Sequence, residues 1–214
     1  HKYNKKVNIV AGSDKYPGAA ILCSKAALQS GSGYVNLFVS TDNESTINLI
    51  KNNIPENIVE SLYSIVDIYE DEGDTLPDKD NFLVGPGINY KTAIGIKYPN
   101  IASNNCVIDA SALYAKKLSD FPLNSILTPH MGEFEELFGF QFYVNNPIKN
   151  KRENYGGNTV DFDYKLLKKI QKKLDGRIVI LKSFNTYIID EDMIYIMDRG
   201  PSLLATAGTG DVLS

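Results

Sequence analysis

The chain has 214 residues, of which 43% are hydrophobic and 22% charged, which is the composition of an ordinary globular protein long enough to bury a core. Its 22 basic and 26 acidic side chains give a formal net charge of -4, which excludes the basic footprint of a nucleic-acid-binding protein. No apolar run reaches the about 18 residues that a membrane-spanning helix requires, so we expect no membrane segment.

The N-terminal part of the chain alternates between strand and helix patterns. Val7–Ser13 is a short apolar run that predicts a buried strand. Pro17–Gly33 is rich in alanine and predicts a helix that its glycines end. Tyr34–Ser40 alternates like a second strand. A strand, a helix and a strand within about 34 residues form a βαβ unit, which implies that the two strands are parallel.

The alternation continues to the C-terminus. Helices are predicted at Asn43–Lys51 and Tyr164–Leu174, and strands at IVESLYS, Arg177–Ser183 and, as a pair with a turn, Thr186–Asp198. Asn81–Ile88 predicts a strand that runs into Gly-Pro-Gly, and Cys106–Tyr114 predicts a strand that ends at Asp109 and is followed by the start of a helix. Residues 141–162 are polar and irregular, and we expect them to form an exposed excursion. The sequence therefore predicts one α/β domain over residues 1–214, with a mostly parallel sheet covered by helices on both faces.

The stretch Ser125–Gly139 predicts a strand, a turn and a helix. Thr128 is expected to cap this helix and Pro129 to occupy its first turn. Glu133 would then lie where acidic groups interact favourably with the helix dipole.

The two cysteines, Cys23 and Cys106, lie far apart in the sequence. Cys23 falls in the alanine-rich helix and Cys106 at the start of a strand, which is typical of buried free thiols rather than of a disulfide. Free thiols favour a reducing compartment, so we expect a cytoplasmic protein.

Polar and glycine residues follow five of the predicted strands. Because ligands bind outside the carboxyl ends of parallel strands, these residues predict a binding site at one edge of the sheet. They are Gly12 and Ser13, Gly85 to Gly87, Asp109, Thr128 to His130, and Lys182 with Ser183.

The sharpest of these signals is the segment Gly208-Thr209-Gly210-Asp211. Its glycines permit a tight turn close to a ligand, and a helix that begins near Asp211 would offer backbone N–H groups to a phosphate. An aspartate there suits a base that takes a proton from a hydroxyl attacking the phosphate. The alternative is that Asp211 only caps the helix.

The single internal histidine, His130, is either a structural residue or a ligand contact, and its place at a strand-to-helix turn leaves both open. Other site classes lack their residues. There is no Walker loop, no Gly-x-Ser-x-Gly elbow and no second internal histidine or pair of neighbouring cysteines for a metal cluster.

Taken in order, these motifs resemble the ADP- or ATP-dependent NAD(P)H-hydrate dehydratases, relatives of the ribokinase-like sugar and vitamin kinases. The resemblance runs from Lys6 to Ser214 and rests on VAGSDKYPGAAILCSKAALQSGSGYV, VGPGI, VIDASALY, ILTPHMGEFEELFG, VILKSFNTYI and ATAGTGDVLS. Two positions depart from the family pattern, with Ser111 in place of an aspartate and Ser183 in place of a glycine. The resemblance implies a ribokinase-like three-layer sandwich.

The resemblance also implies a repair reaction. The family phosphorylates the hydroxyl of hydrated NADH or NADPH and then eliminates phosphate, which restores the dinucleotide. Asp211 would be the base, Mg²⁺ would bridge the phosphates, and ADP is expected as donor in preference to ATP. Substrate contacts would be Ala19, Gly87, His130 and Asp211. Nucleotide contacts would be Lys182, Ser183, Phe184, Asn185, Thr186, Gly208, Thr209 and Gly210. The metal ligands stay unassigned.

Alternatives on the same fold are a kinase of a sugar, hydroxymethylpyrimidine or thiazole alcohol, and a non-catalytic nucleotide-binding protein. TPHMGE argues against the first and the intact Asp211 against the second. The resemblance further implies a homo-oligomer, often a tetramer, and a domain shortened at both ends, since family members extend beyond this chain. We therefore expect these 214 residues alone to be unstable or inactive.

Overall fold

The computed structural model describes residues 6–63, 81–96, 105–114, 116–139, 164–183, 185–199 and 206–214. The strands are β1 (Lys6–Val10), β2 (Tyr34–Val39), β3 (Ile58–Ser61), β4 (Asn81–Val84), β5 (Cys106–Ile108), β6 (Ile126–Leu127), β7 (Ile178–Lys182), β8 (Thr186–Ile189) and β9 (Ile194–Met197). The α-helices are α1 (Pro17–Gln29), α2 (Glu44–Asn53), α3 (Tyr90–Gly95), α4 (Met131–Phe138), α5 (Tyr164–Gln171) and α6 (Thr209–Leu213). Short 3₁₀ helices cover Ala110–Leu113 and Leu118–Asp120.

The described strands form one sheet in the order β3-β2-β1-β4-β5-β6-β7-β8-β9. All neighbours from β3 to β7 are parallel, whereas β8 is antiparallel to both β7 and β9. The predicted mostly parallel sheet is confirmed. The carboxyl ends of β1, β4, β5, β6 and β7 consequently meet at the same edge, side by side.

Two apolar cores lie on opposite faces of this sheet. Phe82 and Val84 of β4 pack in one core with residues of α3, α4 and α5. Leu83 packs in the other core with residues of α1 and α2. Successive side chains of a strand point to opposite faces, so this alternation along β4 places helices on both sides of the sheet. The predicted three-layer architecture is confirmed.

The expected start of α4 is wrong. The helix begins at Met131, and its N-cap is His130 rather than Thr128. The chain continues alongside its neighbours through this stretch: Thr128 N–H donates to the Ile108 carbonyl at 3.1 Å, and the Pro129 carbonyl accepts from Lys182 N–H at 2.8 Å. Because these groups are still paired across the sheet, the backbone cannot turn into a helix before His130.

Both cysteines are buried and free, as predicted. Burial raises the pKa of the Cys106 thiol to about 12 and raises the pKa of the Cys23 thiol further, which makes both thiols unreactive. Of the helices in the described ranges, none combines the length and apolar character required to cross a bilayer. The excursion expected at 141–162 lies outside the described residues.

Candidate active site

The loops that follow five adjacent strands line the predicted edge of the sheet. In spatial order they carry Gly12 after β1, Gly87 after β4, Asp109 after β5, His130 after β6 and Ser183 after β7. Lys182 is the last residue of β7 and pairs with His130 through an isolated bridge. The edge predicted from the sequence is therefore a continuous surface.

Gly87 and Ala19, two expected substrate contacts, touch each other. Gly87 has a φ of +67°, and a Cβ on it would lie 2.7 Å from the Cβ of Ala19. The Ser13 hydroxyl fixes the same turn by donating to the Gly87 carbonyl at 2.7 Å. Glycine is required here because any side chain would push α1 away from the strand ends.

Asp109 lies at the centre of the edge and is buried, with 2% of its surface exposed. Its Oδ1 accepts a hydrogen bond from Lys182 Nζ at 2.7 Å, which forms an ion pair across β6. Its Oδ2 accepts from the Ser214 hydroxyl at 2.7 Å. The carboxylate thus joins β5, β7 and the end of α6.

The Gly-Thr-Gly-Asp segment forms the start of α6 above this ion pair. Gly208 is the N-cap with a φ of +92°, and Asp211 lies in the first turn. The reading of Asp211 as the cap is therefore wrong. A Cβ on Gly210 would lie 3.5 Å from Lys182 Nζ, and the Thr209 hydroxyl donates to the Thr206 carbonyl at 2.8 Å. The turn at Gly210 therefore lies directly beside the ammonium group.

The carboxyl group of Asp211 is in an unfavourable place for a negative charge. Its pKa is raised above the ordinary aspartate value, first because the half-buried group loses hydration and second because Asp109 adds a nearby negative charge. Lys182 partly offsets both effects. A carboxylate with a raised pKa is a stronger base than an exposed one, which suits proton abstraction from a hydroxyl.

His130 performs a structural task with one ring nitrogen. Its Nδ1 accepts from the N–H groups of Gly132 and Glu133 at 3.0 and 3.3 Å, while Glu133 Oε2 accepts from His130 N–H at 2.8 Å. This reciprocal capping box fixes the ring at the start of α4. Its Nε2 lies 3.3 Å from Glu133 Oε1, but the side chain is still 54% exposed, so the rest of the ring keeps an open edge at the site.

The expected nucleotide segment forms the tight connection between β7 and β8. The Ser183 hydroxyl donates to the Asn185 carbonyl at 2.7 Å, and Lys182 pairs with Thr186 across the hairpin. The serine that replaces the family's glycine is thus accommodated by a local hydrogen bond. Phe184, another expected nucleotide contact, lies outside the described residues.

The carboxylates at this edge suit a magnesium ion that is bound mainly by nucleotide phosphates, rather than one that is enclosed by protein ligands alone. No group of three metal-binding side chains occurs within the parts of the chain that are described. Mg²⁺ is commonly held by one or two carboxylates together with nucleotide phosphates. Burial raises the pKa of the Glu133 carboxyl; a hydrogen bond from the His130 N–H lowers it, and Asp109 raises it again. Both Glu133 oxygens already contact His130, with Oε2 2.8 Å from the N–H and Oε1 3.3 Å from Nε2, so a magnesium ion would have to share them.

A sequence model of the NAD(P)H-hydrate dehydratase family matches residues 7–214, nearly the whole chain and all of the edge described above. The chain belongs to this family.

Relatives within the family support the assignment. The ADP-dependent (S)-NAD(P)H-hydrate dehydratase of Streptococcus thermophilus is 32% identical over 98% of this chain and 70% of its own length. The ADP/ATP-dependent NAD(P)H-hydrate dehydratase from Bacillus subtilis, co-crystallised with ATP and Mg²⁺, is 26% identical and superposes with a TM-score of 0.72 over 97% of this chain and 69% of its own.

A more distant structure shows the fold alone. A ribokinase-like superfamily protein from Enterococcus faecalis V583 is 22% identical and has a TM-score of 0.69 over 97% of this chain and 68% of its own. The ribokinase-like architecture expected from the motifs is therefore confirmed for this dehydratase-family chain.

Two residues of this dehydratase-family site make contacts that the sequence does not predict. Asp109 follows an apolar strand and is therefore predicted to lie at the binding edge, but the sequence assigns it no individual role. Ser214 gave no signal, because its bond to Asp109 joins residues 105 positions apart.

Proposed function

We propose that this protein restores NADH and NADPH from the S-epimers of their hydrates, with ADP or ATP as phosphoryl donor and Mg²⁺ as cofactor. The observation that carries the proposal is Asp211, a carboxyl group with a raised pKa in a Gly-Thr-Gly-Asp turn beside Lys182. Membership in the NAD(P)H-hydrate dehydratase family and the ADP-dependent relative give its substrate.

In the first step Asp211 accepts the proton of the hydrate hydroxyl. The hydroxyl oxygen forms a bond to the terminal phosphorus of the donor, and the bond between that phosphorus and the bridging oxygen breaks. ADP thereby becomes AMP, or ATP becomes ADP. Mg²⁺, when bound, neutralises phosphate charge, and Glu133 would hold it through oxygens that it also shares with His130. Lys182 would add a fixed positive charge beside the transferring group.

In the second step the phosphate ester is eliminated. The carbon–oxygen bond to phosphate breaks, the proton of the adjacent ring carbon is taken up by the departing phosphate, and the double bond of the nicotinamide ring returns. No oxidant or reductant is needed, because water is removed without a change in oxidation state.

Each expected contact is proposed in a specific role. Ala19 and Gly87 would present a flat surface to the hydrate, since their contact leaves no room for larger side chains. The open edge of His130 would contact the same substrate. The proposed nucleotide-binding residues are Lys182, Ser183, Phe184, Asn185, Thr186, Gly208, Thr209 and Gly210.

We also propose that the protein is cytoplasmic and forms a homo-oligomer. The buried free thiols favour a reducing compartment, and the family resemblance supports self-association. Light scattering of the purified protein would test the second proposal, and a monomeric mass would contradict it.

The deciding experiment mixes the purified protein with hydrated NADH, Mg²⁺ and either ADP or ATP, and follows NADH absorbance. Recovery with one donor would establish both the reaction and the donor, and we expect ADP to be preferred. Consumption of nucleotide with a stable phosphorylated product and no NADH would instead indicate a small-molecule kinase. Nucleotide binding without consumption would indicate a non-catalytic relative.

A further inference from the structure

The ion pair between Asp109 and Lys182 is an interaction at the edge that the proposed mechanism leaves unexplained. The carboxylate is almost fully buried, with 2% of its side chain exposed, and Lys182 is 24% exposed. Both Asp109 oxygens are occupied, one by the ammonium group and one by the Ser214 hydroxyl.

Stability is a poor explanation for this pair. Removing two charges from water is unfavourable, and apolar residues of similar volume in place of a buried ion pair often leave stability equal or higher. The pair joins residues 73 positions apart at the ends of two strands, beside the proposed base. A role in the geometry of the site accounts for its position.

The contacts show what the pair positions. Lys182 Nζ is held 2.7 Å from Asp109, and it lies 3.5 Å from the point where a Cβ of Gly210 would be. Ser214 links the same carboxylate to α6, since its hydroxyl also lies 2.7 Å from the Gly210 carbonyl oxygen. One carboxylate thus fixes both the ammonium group and the helical turn that carries Asp211.

We infer that Asp109 is a positioning residue for phosphoryl transfer, which acts by holding Lys182 and the first turn of α6 in register with each other. This inference rests on the proposed function. In this role Asp109 would act through Lys182 and Ser214, the two side chains that its oxygens contact, and would itself touch neither substrate nor phosphate. Without it, Lys182 keeps its charge but loses its fixed place beside the reacting phosphate.

This role has a kinetic signature. Asp109→Asn should lower kcat about 10- to 100-fold, since a misplacement of about 1 Å at a reacting centre has an effect of this size. The dissociation constant for ADP should stay equal or fall, because the freed ammonium group is no longer neutralised by Asp109. A purely structural role would weaken ADP binding together with catalysis.

The test is a cycle of variants, measured as kcat of NADH recovery at saturating ADP and Mg²⁺. Lys182→Gln should reduce kcat strongly in the wild type but by less than about threefold in an Asp109→Asn background, since coupled residues are not additive. Multiplicative losses would overturn the inference. If Lys182→Gln leaves Asp109 unpaired and fails to fold, the comparison of Asp109→Asn with the neutral double variant still decides.

Two controls complete the experiment. Asp14→Asn makes the same chemical change elsewhere along the edge and should leave kcat unchanged. Ser214→Ala should lower kcat about tenfold, the lower end of the effect expected for a hydrogen bond to a charged group. A rise in the Mg²⁺ concentration needed for half-maximal rate in Asp109→Asn would also overturn the inference, because it would make Asp109 a metal ligand.

The failure of this inference can be told from the failure of the proposed function. A full-length wild-type protein that binds ADP but restores no NADH with either donor would contradict the proposed function. An active wild-type protein whose variant losses multiply would contradict only the role of Asp109.

Discussion

Asp14 and Asp211 both lie near the carboxyl edge of the sheet, one after β1 and the other in the first turn of α6. Asp14 is exposed, and its Oδ1 accepts hydrogen bonds from the hydroxyls of Thr41 and Thr46 at 2.8 and 2.7 Å. These bonds lower its pKa, with Thr46 the larger cause. The carboxylate form is therefore the stable one, and Asp14 ties α2 to the loop after β1.

Asp211 has the opposite surroundings. Burial and the negative charge of Asp109 raise its pKa, whereas Lys182 favours its charged form. The aspartate carboxylate is thus stabilised as an anion in Asp14 and destabilised as an anion in Asp211. Functional carboxylates commonly occupy such surroundings, because the free-energy cost of burying the anion is relieved when the group accepts a proton.

Of the changes that test this difference between Asp14 and Asp211, Asp211→Asn should have the largest effect on activity. We expect the rate of NADH recovery to fall about 10³-fold, the contribution of a general base. A raised carboxyl pKa means that ionisation costs folding free energy at neutral pH, so the neutral asparagine should leave the melting temperature equal or higher. Activity and calorimetry on the same sample check both parts. A variant that retains the rate would remove Asp211 from the mechanism.

Gly85→Ala should distort the backbone of the loops that follow β4 and β5 near Asp109. Gly85 has a φ of +130°, and a Cβ there would lie 1.7 Å from the Asp109 carbonyl oxygen. The loop must move, so we expect a loss of at least about 3 kcal/mol in the free energy of unfolding. Denaturant titration measures it. Gly95→Ala, where a Cβ meets nothing within 4 Å, is the matched control and should not destabilise.

The pH dependence of kcat should report the surroundings of Asp211. The base must be ionised, so the rate should fall as the pH falls through the raised pKa, above the range of an ordinary aspartate. Asp109→Asn removes a negative charge and should move this acid limb to lower pH. Profiles of kcat against pH for both proteins provide the measurement, and coincident limbs would show that Asp109 does not act on Asp211.

Asp14→Asn should have the smallest effect. We expect kcat to stay within about twofold of wild type, because the described partners of Asp14 are the side chains of Thr41, Thr46 and Asn43, none of which is a proposed site residue. Its lowered pKa means that its stabilisation is present above the ordinary aspartate value and is lost as the pH falls through the folded value. Melting temperatures should therefore differ at neutral pH and converge in acid. A large loss of activity would contradict the different roles assigned to Asp14 and Asp211.

The fold was predictable because its signals are local. The strand Tyr34–Ser40 and the helix Asn43–Lys51 each match an observed element to within a few residues, since their hydrophobic spacing repeats over short windows. The start of α4 was not predictable, because Thr128 and Pro129 have good helix-start chemistry but are paired across the sheet. Local preference gave way there to strand pairing.

The site was predictable only in part for a related reason. Glycines and polar residues at strand ends indicate the edge, and the motif order indicates the family. The contacts that tune the site are long-range: the bond between Ser214 and Asp109 and the ion pair between Asp109 and Lys182 leave no spacing pattern in the sequence.

The alternation of β4 and β5 between the two cores has a consequence for folding. Phe82 and Leu83 are neighbours in the chain, yet each packs in a different core, and Cys106 and Val107 divide in the same way. Neither core can open without disturbing strands that the other also needs. We therefore expect the two cores to unfold as a single cooperative unit, with similar hydrogen-exchange protection on both faces of the sheet. The loops at the ends of β4 and β5 would then keep their geometry until the whole domain unfolds.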